Sequence, residues 1–121
     1  ILLVEDSPEV RELTSSLLTQ MGYEVLAADT PAAALELANE QAVDMLLSDV
    51  IMPDMNGPEL YLEMRKNQPH LPVVFMSGYS EDVLGAEMPN SSWVYYVQKP
   101  FKASRLSIAL HEALNNSKSS G

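Results

Sequence analysis

The chain has 121 residues, 46% hydrophobic and 20% charged, a composition typical of one globular domain with a proper hydrophobic core. Seventeen acidic and seven basic residues give a net charge of -10, which leaves no basic face for direct nucleic-acid binding. Without cysteine the chain forms neither disulfides nor thiolate metal sites, and its apolar runs are too short to span a membrane. We therefore expect a cytoplasmic domain that contacts neither nucleic acid nor membrane. Because it begins with Ile1, we expect a longer parent protein, whose attachment to a membrane stays open.

The first half of the chain alternates short apolar runs with helical spacing, which predicts an α/β domain. Ser7-Pro8 and Thr30-Pro31 carry the same helix-start signal: a hydroxyl caps the first turn, and proline follows where no N–H donor is needed. The predicted elements are a strand at 1–4, a helix ending at Gly22, a strand at 23–28 and a helix ending at about 41. The apolar face predicted for the first helix comprises Val10, Leu13, Leu17 and Met21.

The second half repeats this alternation, and no internal repeat or linker divides the chain. The predicted elements are a strand at 45–47 ending at Ser48-Asp49, a turn-rich loop at 50–57, a helix from Pro58 to before Pro69, a strand at 72–76, a short helix within 80–88, a strand at 93–97 and a last helix. The apolar face of the last helix comprises Leu106, Ala109, Leu110, Ala113 and Leu114. We assign residues 1–116 to one domain and expect 117–121, which lack apolar residues, to be a disordered tail or an expression remnant.

Five strands alternating with about five helices favour a small, doubly wound parallel sheet with helices on both faces. We predict a flavodoxin-like α/β fold with the strand order 2-1-3-4-5. Right-handed crossovers then bring the carboxyl ends of all strands to one edge, where folds of this kind hold their functional sites.

Four of the five predicted strands end in residues unusual for a buried sheet: Glu5-Asp6, Asp49, Ser77 and Lys99-Pro100. Each alone is compatible with a solvated strand end, a turn or a surface lysine, but together they converge on one small volume. Three carboxylates there repel by roughly 4 kcal/mol per pair at ~4 Å and an effective dielectric of about 20. Lys99 cannot balance them, so a hard divalent cation such as Mg²⁺ is expected. The absence of nearby histidine and cysteine argues against zinc.

These residues, together with further motifs in the same order and spacing, resemble the receiver domains of two-component response regulators over essentially all of residues 1 to 116. The further motifs are Met52-Pro53, Asn56-Gly57, Ser77-Gly78 and Lys99-Pro100-Phe101. The stretches at 75–80 and 98–101 look most like receivers attached to hybrid sensor histidine kinases.

The resemblance implies that Asp49 accepts a phosphoryl group from phosphohistidine, with Mg²⁺ bound beside it. The implied metal ligands are Asp6, Asp49 and the backbone carbonyl of Ile51, with Glu5 assisting directly or through water. Lys99 is implied to contact a phosphoryl oxygen. The acidic pair here is Glu-Asp rather than the commoner Asp-Asp, which lengthens one arm of the site without removing charge.

By the same resemblance, Ser77 moves to the phosphoryl group and Tyr96 turns inward, which switches the surface formed by helix four, strand five and helix five of the predicted order. The alternative for Tyr96 is a permanently packed aromatic. The implied partner is a histidine kinase or a histidine phosphotransfer domain, either in the same parent chain or separate, and a weak homodimer stays open. The domain is not expected to be an enzyme, although it assists its own phosphorylation and dephosphorylation and its parent is compatible with a histidine kinase.

Two other functions compete with this interpretation. A binding module that keeps the fold without phosphorylation is favoured when acidic residues or the lysine are missing, yet all are present here. An aspartate-nucleophile phosphatase of the haloacid-dehalogenase type needs a second aspartate two residues after the nucleophile, where this chain has Ile51. A flavin-binding function, which only the fold suggests, is set aside because the chain has no phosphate-binding loop rich in Ser, Thr or Gly after the first strand.

Overall fold

The computed structural model describes residues 1–50, 57–68, 71–77, 94–98 and 102–120, which contain five strands and four helices. The strands are β1 (Leu2–Val4), β2 (Leu26–Ala28), β3 (Leu46–Asp49), β4 (Val73–Ser77) and β5 (Val94–Gln98). The helices are α1 (Pro8–Gln20), α2 (Pro31–Glu40), α3 (Gly57–Arg65) and α4 (Ala103–Ser120). Each overlaps an element predicted from the sequence, and α4 is the predicted last helix. The short helix predicted within 80–88 lies outside the described residues.

The five strands form one parallel sheet in the order β2-β1-β3-β4-β5, which confirms the predicted fold class. The middle of the sheet fixes the position of the candidate site. Val4 at the end of β1 lies between Ala28 of β2 and Ser48 of β3, and Asp49 lies opposite Met76 of β4. Glu5, which follows β1, and Asp49, which ends β3, therefore lie side by side at this edge of the sheet.

Side chains of the strands alternate between two buried clusters, one on each face of the sheet. Leu2 and Val4 lie in the cluster that also contains core residues of α2 and α3, whereas Leu3 lies in the cluster with core residues of α1 and α4. The central strands β3 and β4 contribute to both clusters, as expected for strands covered on both faces. Helices thus cover both faces, as predicted.

The orientation of α1 differs from the prediction. The buried residues of this helix are Thr14 and Leu18, whereas Leu13 of the predicted core face is 64% exposed. The other members of that predicted face, Val10, Leu17 and Met21, are half-buried. The helix is therefore rotated by about one residue, or roughly 100°, so that Leu13 faces away from the sheet.

The last helix continues past the boundary predicted at residue 116, because the backbone of 117–120 is helical. The division of the chain into a domain at 1–116 and a tail stays a prediction. The apolar face predicted for this helix is confirmed, since Leu106, Ala109, Leu110 and Ala113 are buried and Leu114 is half-buried. Among the helices of the described ranges, none is both long and apolar enough to cross a bilayer.

A network around Tyr61 packs α3 against the sheet. The Tyr61 hydroxyl donates to the carbonyl oxygen of Leu71 at 2.8 Å, and its ring packs edge-on against Phe75 with 6.1 Å between ring centroids. The guanidinium of Arg65 lies 5.5 Å from the Tyr61 ring centroid. Burial raises the pKa of Tyr61, and the nearby Arg65 charge only partly opposes this. The middle of α3 is thereby held against β4 and the segment that precedes it.

Candidate metal site at the carboxyl edge of the sheet

Three carboxylates meet where β1 and β3 end. One carboxylate oxygen from each of Glu5, Asp6 and Asp49 lies within 4.8 Å of the others. The register explains this convergence, because Val4 pairs with Ser48 and the next residue of each strand carries a carboxylate. We call these three residues the carboxylate cluster.

Glu5 is the most deeply buried member of the cluster, with 1% of its surface exposed. Its backbone N–H donates to the Ala28 carbonyl at 3.1 Å, and its Oε1 accepts from the backbone N–H of Ser7 at 3.1 Å. Ser7 is the N-cap of α1, so the positive end of the helix dipole stabilises the buried carboxylate. Glu5 thus joins the strand end to the helix start.

Asp49, the last residue of β3, is 8% exposed, and its backbone is fixed from several directions. The Ser48 hydroxyl donates to the Asp49 carbonyl oxygen at 2.8 Å, and the next residue, Val50, donates its N–H to Met76 at 3.1 Å. Gly57 at the start of α3 donates its N–H to Val50 at 2.7 Å. A side chain at Gly57 has no room, since its Cβ would overlap the Asp49 carbonyl oxygen and crowd the Phe75 ring.

Asp6 is exposed and completes the cluster on its solvent side. At 4 to 5 Å and an effective dielectric of about 20, each carboxylate pair costs roughly 3 to 4 kcal/mol, less where water screens Asp6. Carboxylate oxygens are the ligands that Mg²⁺ and Ca²⁺ prefer, and a site with few protein ligands open to water suits Mg²⁺. The residues present therefore fit a divalent, oxygen-seeking ion.

The structure brings together Glu5, Asp6 and Asp49, as the sequence predicts. Ser77 is the last residue of β4, and its backbone pairs with that of Gln98, the residue before Lys99. The side chains of Ser77 and Tyr96 lie outside the described part of the structure, as do Ile51 and Lys99 entirely. The roles assigned to all these residues stay predictions.

Two further residues lie at this edge that the sequence motifs do not predict. Ser48 is fully buried, and its hydroxyl bonds to the Asp49 carbonyl. Arg11 reaches the cluster from α1, where its Nη1 donates to the carbonyl oxygen of Glu5 at 3.0 Å. A signal for Arg11 exists in the sequence, since it is the only basic residue before Arg65 and comes shortly after the acidic pair.

Comparison with known families gives a match over nearly the whole chain. The family described as response regulator receiver domain matches residues 1–111. Among curated proteins, the sensor kinase CckA of Brucella abortus is 38% identical over 116 residues, which cover 94% of this chain and 12% of the relative. The response regulator protein FleR of Pseudomonas aeruginosa is 38% identical over 106 residues, covering 88% of this chain and 22% of the relative. The chain thus spans less than a quarter of the length of either protein.

Solved structures with the same fold include isolated domains of similar size. The receiver domain from the hybrid histidine kinase CckA superimposes with a TM-score of 0.79 at 36% identity, covering 93% of this chain and 96% of that one. The chemotaxis protein CheY4 of Vibrio cholerae gives a TM-score of 0.87 at 29% identity, with the same coverage. The expected similarity to receivers of hybrid kinases is confirmed.

Proposed function

Because this chain belongs to the family of response regulator receiver domains, we propose that Asp49 is the residue that accepts the phosphoryl group. Receiver domains are signalling domains of two-component systems that interact with histidine kinases or histidine phosphotransfer domains. The observation that carries the proposal is the carboxylate cluster itself, in which Asp49 lies between the ends of β1 and β4 with Glu5 and Asp6 beside it.

The transfer exchanges one bond to phosphorus for another. A carboxylate oxygen of Asp49 forms a P–O bond, while the P–N bond of the donor phosphohistidine breaks. The electron pair of that bond stays on the imidazole nitrogen, and the ring leaves as neutral imidazole when its other nitrogen carries a proton. Positioning and charge neutralisation dominate such transfers, so a rigid acceptor matters more than covalent machinery. The hydrogen bonds on both sides of the Asp49 peptide supply that rigidity.

The family implies Mg²⁺, and the proposed ligands are Asp6, Asp49 and the backbone carbonyl of Ile51, with Glu5 assisting. When bound, the ion neutralises charge on the phosphoryl oxygens and on the acceptor. Glu5 already uses one carboxylate oxygen to accept from the Ser7 N–H, which favours an assisting role for it, directly or through water. The exposed Asp6 remains accessible to an ion arriving from solvent.

The remaining site residues complete the proposal by family analogy. Lys99 contacts a phosphoryl oxygen, and Ser77 moves to hydrogen-bond another. The phosphoryl group adds about -1.5 to -2 charges and three acceptor oxygens at neutral pH. Tyr96 then turns inward and changes the surface that predicted helix four, β5 and α4 form. In register, Ser77 at the end of β4 pairs with Gln98, the residue that precedes Lys99 in the sequence.

The proposed partner is a histidine kinase or a histidine phosphotransfer domain, in the same parent chain or in another, in the cytoplasm. The similarity to the CckA receiver supports a hybrid kinase as the parent. We propose that the domain assists its own phosphorylation and dephosphorylation without turning over a separate substrate.

Intact-mass spectrometry after incubation with acetyl phosphate and Mg²⁺ tests the assignment. We expect the wild type to gain the mass of one phosphoryl group and Asp49→Asn to gain none. Asp44→Asn is the matched control. Asp44 lies just before the amino-terminal end of β3, whereas Asp49 lies at its carboxyl end, so this variant should gain the same mass as the wild type. A wild type without any gain would favour a binding module that keeps the fold, and a gain retained in Asp49→Asn would place the acceptor elsewhere.

A further inference from the structure

Arg11 is a cation built into the carboxyl edge of the sheet. Its side chain is half-buried, whereas those of the flanking acids Glu9 and Glu12 are exposed. Nη1 of Arg11 donates to the Glu5 carbonyl oxygen at 3.0 Å. That oxygen belongs to the peptide between Glu5 and Asp6, so the guanidinium lies against the backbone that joins two members of the carboxylate cluster.

The position of Arg11 along α1 is unfavourable for an ordinary surface arginine. Arg11 lies in the first turn after the N-cap, and its backbone N–H donates to the Ser7 carbonyl at 2.9 Å. The positive end of the helix dipole disfavours a cation there. The bond from Arg11 to the Glu5 carbonyl keeps the guanidinium beside the carboxylate cluster, whose negative charge offsets this cost. No other lysine, arginine or histidine occurs before Arg65.

The rotation of α1 is consistent with a role for Arg11 at the sheet edge. Thr14 and Leu18 are the buried residues of the helix, and Arg11 precedes them by three and seven positions on the same face. The helix therefore presents a charged residue to the end of the sheet and leaves Leu13 in solvent.

We propose that the charge of Arg11, held beside the site by its bond to the Glu5–Asp6 peptide, stabilises the carboxylate cluster while the divalent ion is absent. The inference rests on the proposed function, because it assumes that the cluster binds Mg²⁺. It adds that Arg11 lowers Mg²⁺ affinity.

The direction of the effect follows from the charges. Arg11 is bonded to the peptide that joins Glu5 and Asp6, beside a cluster of three carboxylates. When Mg²⁺ binds, the net charge of that cluster changes from -3 to -1. The attraction that Arg11 provides therefore weakens when the ion binds. By linkage, the guanidinium disfavours the ion by the same free energy. Removal of the charge should tighten Mg²⁺ binding about three- to tenfold at low ionic strength, where screening is weakest.

Titration calorimetry with MgCl₂ on wild type, Arg11→Gln, Arg11→Lys and Arg105→Gln tests the proposal. Arg105→Gln makes the same change in net charge, from -10 to -11, at an exposed position on α4. We expect tighter binding only in Arg11→Gln and near-wild-type affinity in Arg11→Lys, which keeps the charge. Structural damage alone would weaken binding, so tightening separates the proposed role from a merely structural one.

An affinity of Arg11→Gln equal to that of Arg105→Gln, or weaker than wild type, would overturn the proposal. If Arg11→Gln is partly unfolded, the rise in Tm caused by Mg²⁺ gives the same comparison, and this rise must exceed that of the wild type. A wild type that binds no Mg²⁺ would refute the proposed function instead. The apo stabilities would then decide on Arg11: a larger loss in Arg11→Gln than in Arg105→Gln, growing as salt is lowered, supports its role, and equal losses exclude it.

Discussion

Two strand-to-helix junctions of this chain have nearly the same local sequence, yet only the first contributes to the carboxylate cluster. After β1 come Glu5-Asp6, the cap Ser7 and Pro8, and after β2 come Asp29, the cap Thr30 and Pro31. Both caps accept a hydrogen bond from the backbone N–H three residues on. Acid, hydroxyl and proline therefore do not by themselves make a functional site.

The strand order accounts for the difference. β1 lies between β2 and β3, so its acidic pair meets Asp49, whereas β2 pairs with β1 alone at one edge of the sheet. Asp29 is exposed and is not a member of the carboxylate cluster. The chemistry of a junction thus depends on which strand lies next to it, and the following variants test this dependence.

The largest effect is expected at the contact between β3 and α3. Gly57→Ala would push a methyl group into the Asp49 carbonyl oxygen and the Phe75 ring, which should cost about 2 to 3 kcal/mol of stability and weaken Mg²⁺ binding. Gly22→Ala is the control, because Gly22 has a φ of 97° but open space around it. Backbone strain there should cost about 1 to 2 kcal/mol without changing Mg²⁺ affinity.

Urea unfolding and magnesium titration measure the two effects separately. If Gly57→Ala binds Mg²⁺ as tightly as Gly22→Ala does, the backbone of Asp49 is not what fixes the geometry of the cluster. The difference between the two junctions would then rest on side-chain charge alone.

Asp6→Asn and Asp29→Asn compare the junctions directly. Both remove one charge beside a capped helix start, but only Asp6 lies within 4.8 Å of the other carboxylates. We expect Asp6→Asn to weaken Mg²⁺ binding at least tenfold, about 1.4 kcal/mol, and Asp29→Asn to change it less than twofold. Calorimetry at one ionic strength provides the comparison, and similar losses in the two variants would mean that the ion responds only to overall charge.

Much of this edge was predictable because its signals are local. Ser7-Pro8 and Thr30-Pro31 predicted both helix starts, and the structure confirms each cap. The meeting of Glu5, Asp6 and Asp49 followed from strand ends converging in a doubly wound sheet.

Features that depend on tertiary contacts were not predictable in the same way. Strand β2 was predicted to span 23–28 but comprises Leu26–Ala28, because it can pair only along the three residues of β1. In α1, the apolar residues fit a face that includes Leu13, while the sheet covers Thr14 instead. Hydrophobic periodicity does not distinguish two overlapping faces of one helix. Which face is buried depends on tertiary contacts of α1, such as the bond from Arg11 to the Glu5 carbonyl.

The degree of burial of each carboxylate in the cluster was also not predictable from the sequence. Glu5 and Asp6 are adjacent and carry the same charge, yet Glu5 is 1% exposed and Asp6 faces solvent. The difference arises because Glu5 still pairs with Ala28 through its backbone and accepts the Ser7 N–H through its side chain. Those bonds exist only once β2 and α1 are both in place.

The smallest effect concerns the caps themselves. The Thr30 hydroxyl accepts from the Ala33 N–H at 3.1 Å, whereas that of Ser7 accepts from Val10 at 3.5 Å, which is long for such a bond. Thr30→Ala should therefore cost about 1 kcal/mol, and Ser7→Ala only about half as much. Ser7→Ala should also leave Mg²⁺ affinity unchanged, because the backbone N–H that holds Glu5 is retained. Chemical denaturation of both variants, with and without Mg²⁺, measures these costs. A Ser7→Ala variant that loses more stability than Thr30→Ala, or loses it only with Mg²⁺ present, would mean that the Ser7 hydroxyl serves the site rather than the helix, and the two junctions would then differ in their caps as well as in their neighbours.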